Sequence, residues 1–167
     1  ESKDNRKINN SIIKYFYESG KLDTAHSLIN KNEMTNDENI LFYNNIKLNY
    51  LLSTFQLEEV CSFKEQLNTE TAVSSNFLEK IEIFCLILEN KLSEAELLNS
   101  IMQETEIDKD ENFQNLISFL LNGENTDNDF KFIFNKLNNL DLLFLYSAMA
   151  RIAEVPLSEK FLNVDPI

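Results

Sequence analysis

The chain contains no tryptophan, only two glycines and only two prolines among its 167 residues. Folds built from β-strands use glycine and proline at their many turns, so this scarcity predicts an all-α fold. Two glycines are too few for a glycine-rich phosphate loop, and a single histidine leaves a zinc site or catalytic triad without a second imidazole. The composition therefore gives little support to nucleotide-dependent or zinc-dependent enzymes.

Positive charge is also scarce, because 15 lysines and arginines stand against 28 aspartates and glutamates, for a formal net charge of −13. Nucleic acids and anionic membrane surfaces repel such a polyanion, so neither is expected as a ligand. No apolar run reaches the roughly 18–20 residues that span a bilayer, so no membrane insertion is expected. We expect a protein partner, presented as a basic or amphipathic segment, that binds more weakly at high salt.

Two cysteines, Cys61 and Cys85, lie among apolar residues. Two cysteines in a chain of this length do not form a disulfide framework, so we predict two buried free thiols in a reducing compartment. The polar first ten residues lack the apolar core of a secretory signal, and these features together predict a cytoplasmic location. The absence of an initiator methionine indicates a processed chain or a piece of a longer one.

Apolar residues recur with a helical period along most of the chain, and short polar segments separate the stretches. A mass of 19.5 kDa and a hydrophobic fraction of 43% are typical of one folded domain. We predict helical hairpins at about 8–32, 41–67, 76–103 and 111–137, followed by a C-terminal helical cap at 140–162.

A repeat of 35 residues is the strongest pattern in the sequence. Residues 20–25, 55–60 and 90–95 superpose without gaps, each with a leucine at the third position and alanine or valine three residues later. We interpret each segment as the start of a hairpin's second helix. The leucine fills the seam between the two helices, and the small residue permits their close approach. One hairpin cannot bury its own apolar face, so the units are expected to stack. The repeated positions are Leu22, Leu57 and Leu92, then Ala25, Val60 and Ala95, with Ile13, Leu48 and Ile83 on the preceding helices.

This pattern resembles the tetratricopeptide (TPR) family, whose second helix begins with glycine, any residue, an aromatic or leucine, two polar residues and alanine. Gly20, Leu22 and Ala25 match it, and the resemblance covers about residues 8–103. The family's early tryptophan and closing proline are absent from every unit, so these are degenerate repeats and the family's peptide-clamp residues are not carried over. The resemblance implies a right-handed stack of antiparallel hairpins, an α-solenoid, with a concave face for a partner.

The first hairpin also resembles a LisH motif, and residues 44–100 loosely resemble the CTLH segment that often follows it in ubiquitin-ligase scaffold subunits. This second resemblance implies dimerisation through the first two helices. It leaves the 35-residue recurrence unexplained. The residues at LisH spacings are Tyr15, Gly20, Thr24, Ala25 and Leu28.

Reactive side chains do not converge anywhere in the sequence pattern. The acidic segment that begins at Asp108 fails the EF-hand pattern, because Phe113 stands where the loop needs glycine. The acidic segment at Asp127 is likewise followed by phenylalanine. We therefore predict no cofactor, no metal and a non-enzymatic protein–protein interaction module, either an adaptor or scaffold or part of a larger repeat protein. The alternatives are a LisH–CTLH-type oligomerisation domain and a helical enzyme with a site near His26.

Aromatic and polar side chains on the first helices of the hairpins are the predicted contacts to a partner segment, since first helices line the concave face of such stacks. An equally open interpretation is that these side chains pack between repeats. The predicted partner-binding residues are Tyr17, Tyr43, Asn44, Lys47 and Tyr50.

Overall fold

The computed structural model describes residues 3–31, 39–67, 75–105, 110–122 and 140–156. Within these ranges the chain forms eight α-helices and no strand, which confirms the all-α prediction. The helices are α1 (Lys3–Glu18), α2 (Leu22–Lys31), α3 (Ile40–Ser53), α4 (Leu57–Gln66), α5 (Ser75–Leu88), α6 (Leu92–Thr105), α7 (Glu111–Asn122) and α8 (Leu140–Ile152).

Two predicted elements and two acidic segments fall partly or wholly outside the described residues. The second half of the fourth hairpin, after Asn122, lies outside them, and so does the cap beyond Pro156. Asp108 and Asp127, which head the two acidic segments, also lie outside them.

One type of turn closes the first helix of each of the first three helical pairs. Gly20, Phe55 and Asn90, spaced 35 residues apart, all adopt a left-handed backbone conformation, with φ of 74°, 60° and 61°. The next amide in each turn donates to the carbonyl five residues earlier, which is the Schellman arrangement that ends many helices. The sequence repeat is therefore also a repeat of local structure. These bonds join Lys21 N to Phe16 O (2.8 Å), Gln56 N to Leu51 O (2.9 Å) and Lys91 N to Leu86 O (2.8 Å).

The leucine that follows each turn begins a helix in all three pairs. Its burial does not repeat, however: Leu22 is 1% exposed, Leu57 is half-buried and Leu92 is 37% exposed. The expectation that each leucine fills a seam is therefore correct for Leu22 and wrong for Leu92. The reason is that α2 packs against both α1 and α3, whereas the close backbone packing of α6 within the described chain is with α5.

The other repeated positions form the core of the helical pairs. Ala25, Val60 and Ala95 are fully buried, and so are the three residues predicted to face them from the preceding helices. Backbone packing joins each helix from α1 to α5 to the next one in sequence. The two helices of each pair thus pack together around a buried small side chain in all three pairs, as the 35-residue spacing predicts.

The last described helix, α8, packs against α3 and α5 as well as against its neighbour α7. All residues from 144 to 150 are buried, which is the pattern of an inner helix with neighbours on every side. The predicted cap helix thus contacts α3 and α5 as well as its neighbour α7. Those helices are the ones expected to line a concave face.

We expect Gly20→Ala to lower the free energy of unfolding by about 1 kcal/mol, because a Cβ disfavours the left-handed conformation. No atom lies within 4 Å of the Cβ position, so backbone strain alone should account for the loss. Asparagine tolerates this conformation, so Gly20→Asn should cost clearly less. Urea unfolding followed by far-UV circular dichroism measures both variants, and equal losses would contradict the assignment to strain.

Candidate functional site

Two of the five predicted partner-binding residues are buried. Tyr17 is 7% exposed and Tyr43 is 2% exposed. The Tyr17 hydroxyl donates to Asp141 on α8, and the Tyr43 hydroxyl donates to Asn10 on α1. Both phenol groups therefore already make internal hydrogen bonds, which is the arrangement expected for packing between helices.

The other three residues are half-buried on α3. Lys47 Nζ lies 3.9 Å from the centroid of the Phe63 ring on α4, a cation–π distance. The Tyr50 ring stacks on His26 of α2, with centroids 3.8 Å apart and planes 16° apart. The structure brings Lys47 and Tyr50 to the seams with α4 and α2, respectively. Partner binding by the five residues, Asn44 included, stays a prediction.

His26 is held by neighbours on two helices. Its Nε2 lies 3.3 Å from the side-chain nitrogen of Asn30. Partial burial and the positive charge of Lys47 lower the pKa of His26, against a smaller opposing effect of Asp23, so the ring is neutral at pH 7. Within the described ranges, no group of three His, Cys, Asp or Glu side chains could hold a metal ion. An enzymatic site near His26 gains no further support from these contacts.

Buried polar side chains that were not predicted from the sequence surround Asp141, which lies in the first turn of α8. The side-chain amides of Asn45 and Asn49 on α3 each donate to its Oδ1 at 2.8 Å, alongside the Tyr17 hydroxyl. Burial, and then the charge of Asp141, raise the pKa of Tyr17 well above its usual value, so this phenol stays protonated. The sequence indicates this cluster through Asn45 and Asn49, two polar residues that lie four apart within the apolar helix α3.

A second buried cluster surrounds Asp110, just before α7. Lys80 on α5 is 2% exposed, and its Nζ lies 2.7 Å from Asp110 Oδ2, which also accepts from the Tyr146 hydroxyl of α8. Asp110 Oδ1 accepts from Phe113 N at 3.1 Å and so caps α7. Burial acts to raise the pKa of Asp110, but the bonds from Lys80 and Tyr146 outweigh it and hold that pKa below its ordinary value.

Cys61 of α4 and Cys85 of α5 form a disulfide, with Cα atoms 5.7 Å apart. The prediction of two free thiols is therefore wrong. Two isolated cysteines carry no pairing information in the sequence, and only the packing of α4 on α5 brings them within bonding range. Cys61 is half-buried, whereas Cys85 is 5% exposed.

An open cavity of about 500 Å³ lies beside this disulfide. One face of α4 contributes residues at spacings of three and four, and the end of α5 closes the other side. The lining combines apolar groups with three carboxylates and no cation, so its chemistry suits a ligand that is both apolar and positively charged. The lining residues are Leu57, Glu58, Cys61, Ser62, Glu65, Leu88 and Glu89.

Lys91 approaches one side of this cavity, and the charges of Lys64 and Lys91 also act on Glu65 at longer range. Lys91 Nζ lies 2.6 Å from Glu89 Oε2, and Lys64 pairs with Glu82. Within the described residues, neither Glu58 nor Glu65 forms an ion pair. These two carboxylates lie seven residues apart on the face of α4 that lines the cavity. They are the groups that an incoming cation would meet.

Comparison with protein-family models, curated proteins and solved structures found no match. The TPR-like and LisH resemblances therefore rest on the sequence pattern alone. In the part of the chain that is described, no helix has the length and apolar character needed to cross a membrane.

We expect Asp110→Asn to lower the free energy of unfolding by about 3 kcal/mol near neutral pH, because it leaves Lys80 buried without a counter-charge. Asparagine is itself a good N-cap, so loss of the cap does not explain the effect. Lys80→Met in the same chain should recover part of the loss. Urea unfolding measures both variants, with Glu79→Gln, a change at an exposed residue beside Lys80, as a control that stays within about 0.5 kcal/mol.

The pH dependence of this difference follows from the lowered pKa of Asp110. Its contribution to stability is present above the ordinary pKa of 3.8 and is lost as pH falls through the lower value of the folded state. The gap between the original chain and Asp110→Asn should therefore close in acid. A gap that stays constant from about pH 7 to about pH 2 would contradict the role of the charge.

Proposed function

We propose that this chain is a non-enzymatic protein–protein interaction module of TPR-like helical pairs, acting as an adaptor or scaffold or as part of a larger repeat protein. The observation that carries the proposal is the open cavity on α4, with its apolar lining and its carboxylates. The repeated Schellman turns and the three fully buried small residues support a TPR-like stack.

The chemistry of the cavity favours a basic amphipathic segment as the partner. Leu57, Leu88 and Cys61 offer apolar surface, while Glu58 and Glu65 offer carboxylates. Seven residues separate these two glutamates, so their positions on α4 are about 10 Å apart along the helix. A partner helix with lysine or arginine at positions seven apart, and leucine between them, matches this spacing.

The side of the odd-numbered helices is a less favourable place for a partner. Helix α8 packs on α3, α5 and α7, so a segment binding there would compete with the chain's own helix. The α4 cavity has no such internal occupant within the described chain, since α4 packs closely with α3 and α5 only. We therefore favour the α4 cavity over the five residues predicted on α1 and α3.

A cytoplasmic location stays a prediction, and the disulfide counts against it. Disulfides form and persist mainly in oxidising compartments, and glutathione and thioredoxin keep most cytosolic thiols reduced.

The test is the binding of a fluorescein-labelled helical peptide with the lysine and leucine spacing given above, measured by fluorescence anisotropy. We expect Glu58→Lys with Glu65→Lys to weaken binding by about tenfold at low salt, because attraction at the cavity becomes repulsion. The matched control is Glu96→Lys with Glu104→Lys, an equal charge change at two exposed positions of α6.

The control variant decides whether the cavity is the site. A chain of net charge −13 attracts any basic peptide, so equal weakening by both double variants would overturn the assignment to the α4 cavity. A peptide of the same composition in scrambled order should bind more weakly. Binding lost with Tyr50→Ala, but unchanged in the Glu58 and Glu65 variant, would favour the contacts predicted on α3.

Exposed apolar residues on α1 favour self-association as a second candidate function. Ile8, Ile12 and Tyr15 are 58%, 41% and 65% exposed, and their spacing places them on one face of the helix. This face lies within the first two helices, through which the LisH resemblance implies dimerisation. Apolar stripes left open in this way often mark contact surfaces between proteins.

Self-association predicts a dimer that depends on α1. We expect Ile8→Gln with Ile12→Gln to convert the dimer into a monomer, because the change removes apolar area from the contact. Light scattering coupled to gel filtration measures the mass. Leu97→Gln with Ile101→Gln is the matched control, because those residues are also four apart, and they are 64% and 50% exposed on α6. A monomeric original chain would contradict this candidate.

A further inference from the structure

The two sulfur-bearing residues of the disulfide differ in their access to solvent. Cys61 is half-buried and lines the α4 cavity, whereas Cys85 is 5% exposed and lies in the core. The cavity of about 500 Å³ exceeds the ~30 Å³ share of one water molecule by more than tenfold, so a small thiol fits. An attacking thiol that enters the cavity therefore meets Cys61.

The charge of the lining decides which thiols enter. Glu58 and Glu65 make no ion pair within the described residues, while Glu89 is bound by Lys91. The nucleophile in disulfide exchange is the thiolate, so its own negative charge is repelled by these carboxylates. A thiol that also carries an ammonium group gains an attraction that offsets this repulsion, whereas a thiol with a second negative charge is repelled further.

We propose that the α4 cavity is a thiol–disulfide exchange site at Cys61 that is selective for small cationic thiols. This proposal does not depend on the binding of a partner segment. The ammonium group of the thiol lies by Glu58 or Glu65, and its sulfur faces Cys61. The ligand class is an aminothiol, in which a short carbon chain joins the amine to the sulfur.

The exchange proceeds in two balanced steps. The first thiolate attacks Cys61 Sγ, forms a mixed disulfide with it and breaks the bond to Cys85, whose sulfur leaves with the electron pair and takes up a proton. A second thiolate then attacks the sulfur of the bound thiol, which releases the free disulfide of the two thiols and a Cys61 thiolate. The two thiols are oxidised by two electrons in total, and the protein disulfide is reduced by two.

The test compares the reduction of the native protein by cysteamine, which is cationic, and by 2-mercaptoethanesulfonate, which is anionic. The rates are followed by alkylation of the released thiols and mass spectrometry. Each rate is divided by the rate of the same thiol on the neutral disulfide of 2-mercaptoethanol, which corrects for the reactivity of the thiol itself. We expect the corrected rate to be about tenfold higher for cysteamine at low salt, and the preference to shrink at about 1 M salt.

Substitutions separate the lining of the cavity from the overall charge of the protein. Glu58→Gln with Glu65→Gln should remove most of the preference for cysteamine. Glu96→Gln with Glu104→Gln makes the same charge change on α6, at exposed positions, and should leave the preference intact. Peptide mapping after an acid quench should find the cysteamine adduct on Cys61 and the alkylated thiol on Cys85.

Four results would overturn the proposal. The first is a corrected ratio near one in the original chain, and the second is an equal loss of preference in both double variants. The third is an adduct on Cys85. The fourth is a reduction rate that does not rise with thiol concentration, because reduction would then wait for unfolding and would not use the cavity.

Discussion

Two half-buried carboxylates, each bonded to buried side chains, connect α8 to the rest of the molecule. Asp141, on α8 itself, accepts hydrogen bonds from Tyr17 on α1 and from Asn45 and Asn49 on α3. Tyr146, one and a half turns further along α8, donates to Asp110, which Lys80 of α5 neutralises. The buried polar groups that bind these carboxylates are costly unless they are hydrogen-bonded, so these contacts allow α8 few other positions. The packing of α8 on the odd-numbered helices depends on this requirement.

The local structure of the helical pairs could be read from the sequence because neighbouring residues determine it. The turn, the helix start and the close approach at Ala25, Val60 and Ala95 all lie within six residues, and the same pattern occurs three times. Burial of the leucines could not be read in the same way. It depends on which helix covers each turn, and α6 is less covered than α2.

The long-range contacts left only weak signals in the sequence. Lys80 and Asp141 are charged residues inside apolar stretches, which indicates an unusual environment but names no partner. Their partners lie 30 or more residues away along the chain, and the disulfide joins cysteines 24 residues apart. Pairing over such distances follows from the packing of whole helices, and a 35-residue pattern carries no information about it.

The cavity could not be predicted from the sequence for a different reason. In the sequence its glutamates resemble the solvated carboxylates that most surface helices carry. Only the structure shows that the end of α5 stands opposite Glu58 and Glu65, with Cys61 between them on α4. The negative charge of the chain follows from its composition, but the concave shape of the cavity depends on two helices together.

The disulfide joins the last helix of the second pair to the first helix of the third pair. Arrays of similar units tend to fray from their ends, because each unit is held mainly by its nearest neighbours. A covalent bond across one junction merges the two adjoining units into a single cooperative block. Fraying from either terminus can then advance to this block, but it cannot separate the second helical pair from the third while the sulfurs stay joined.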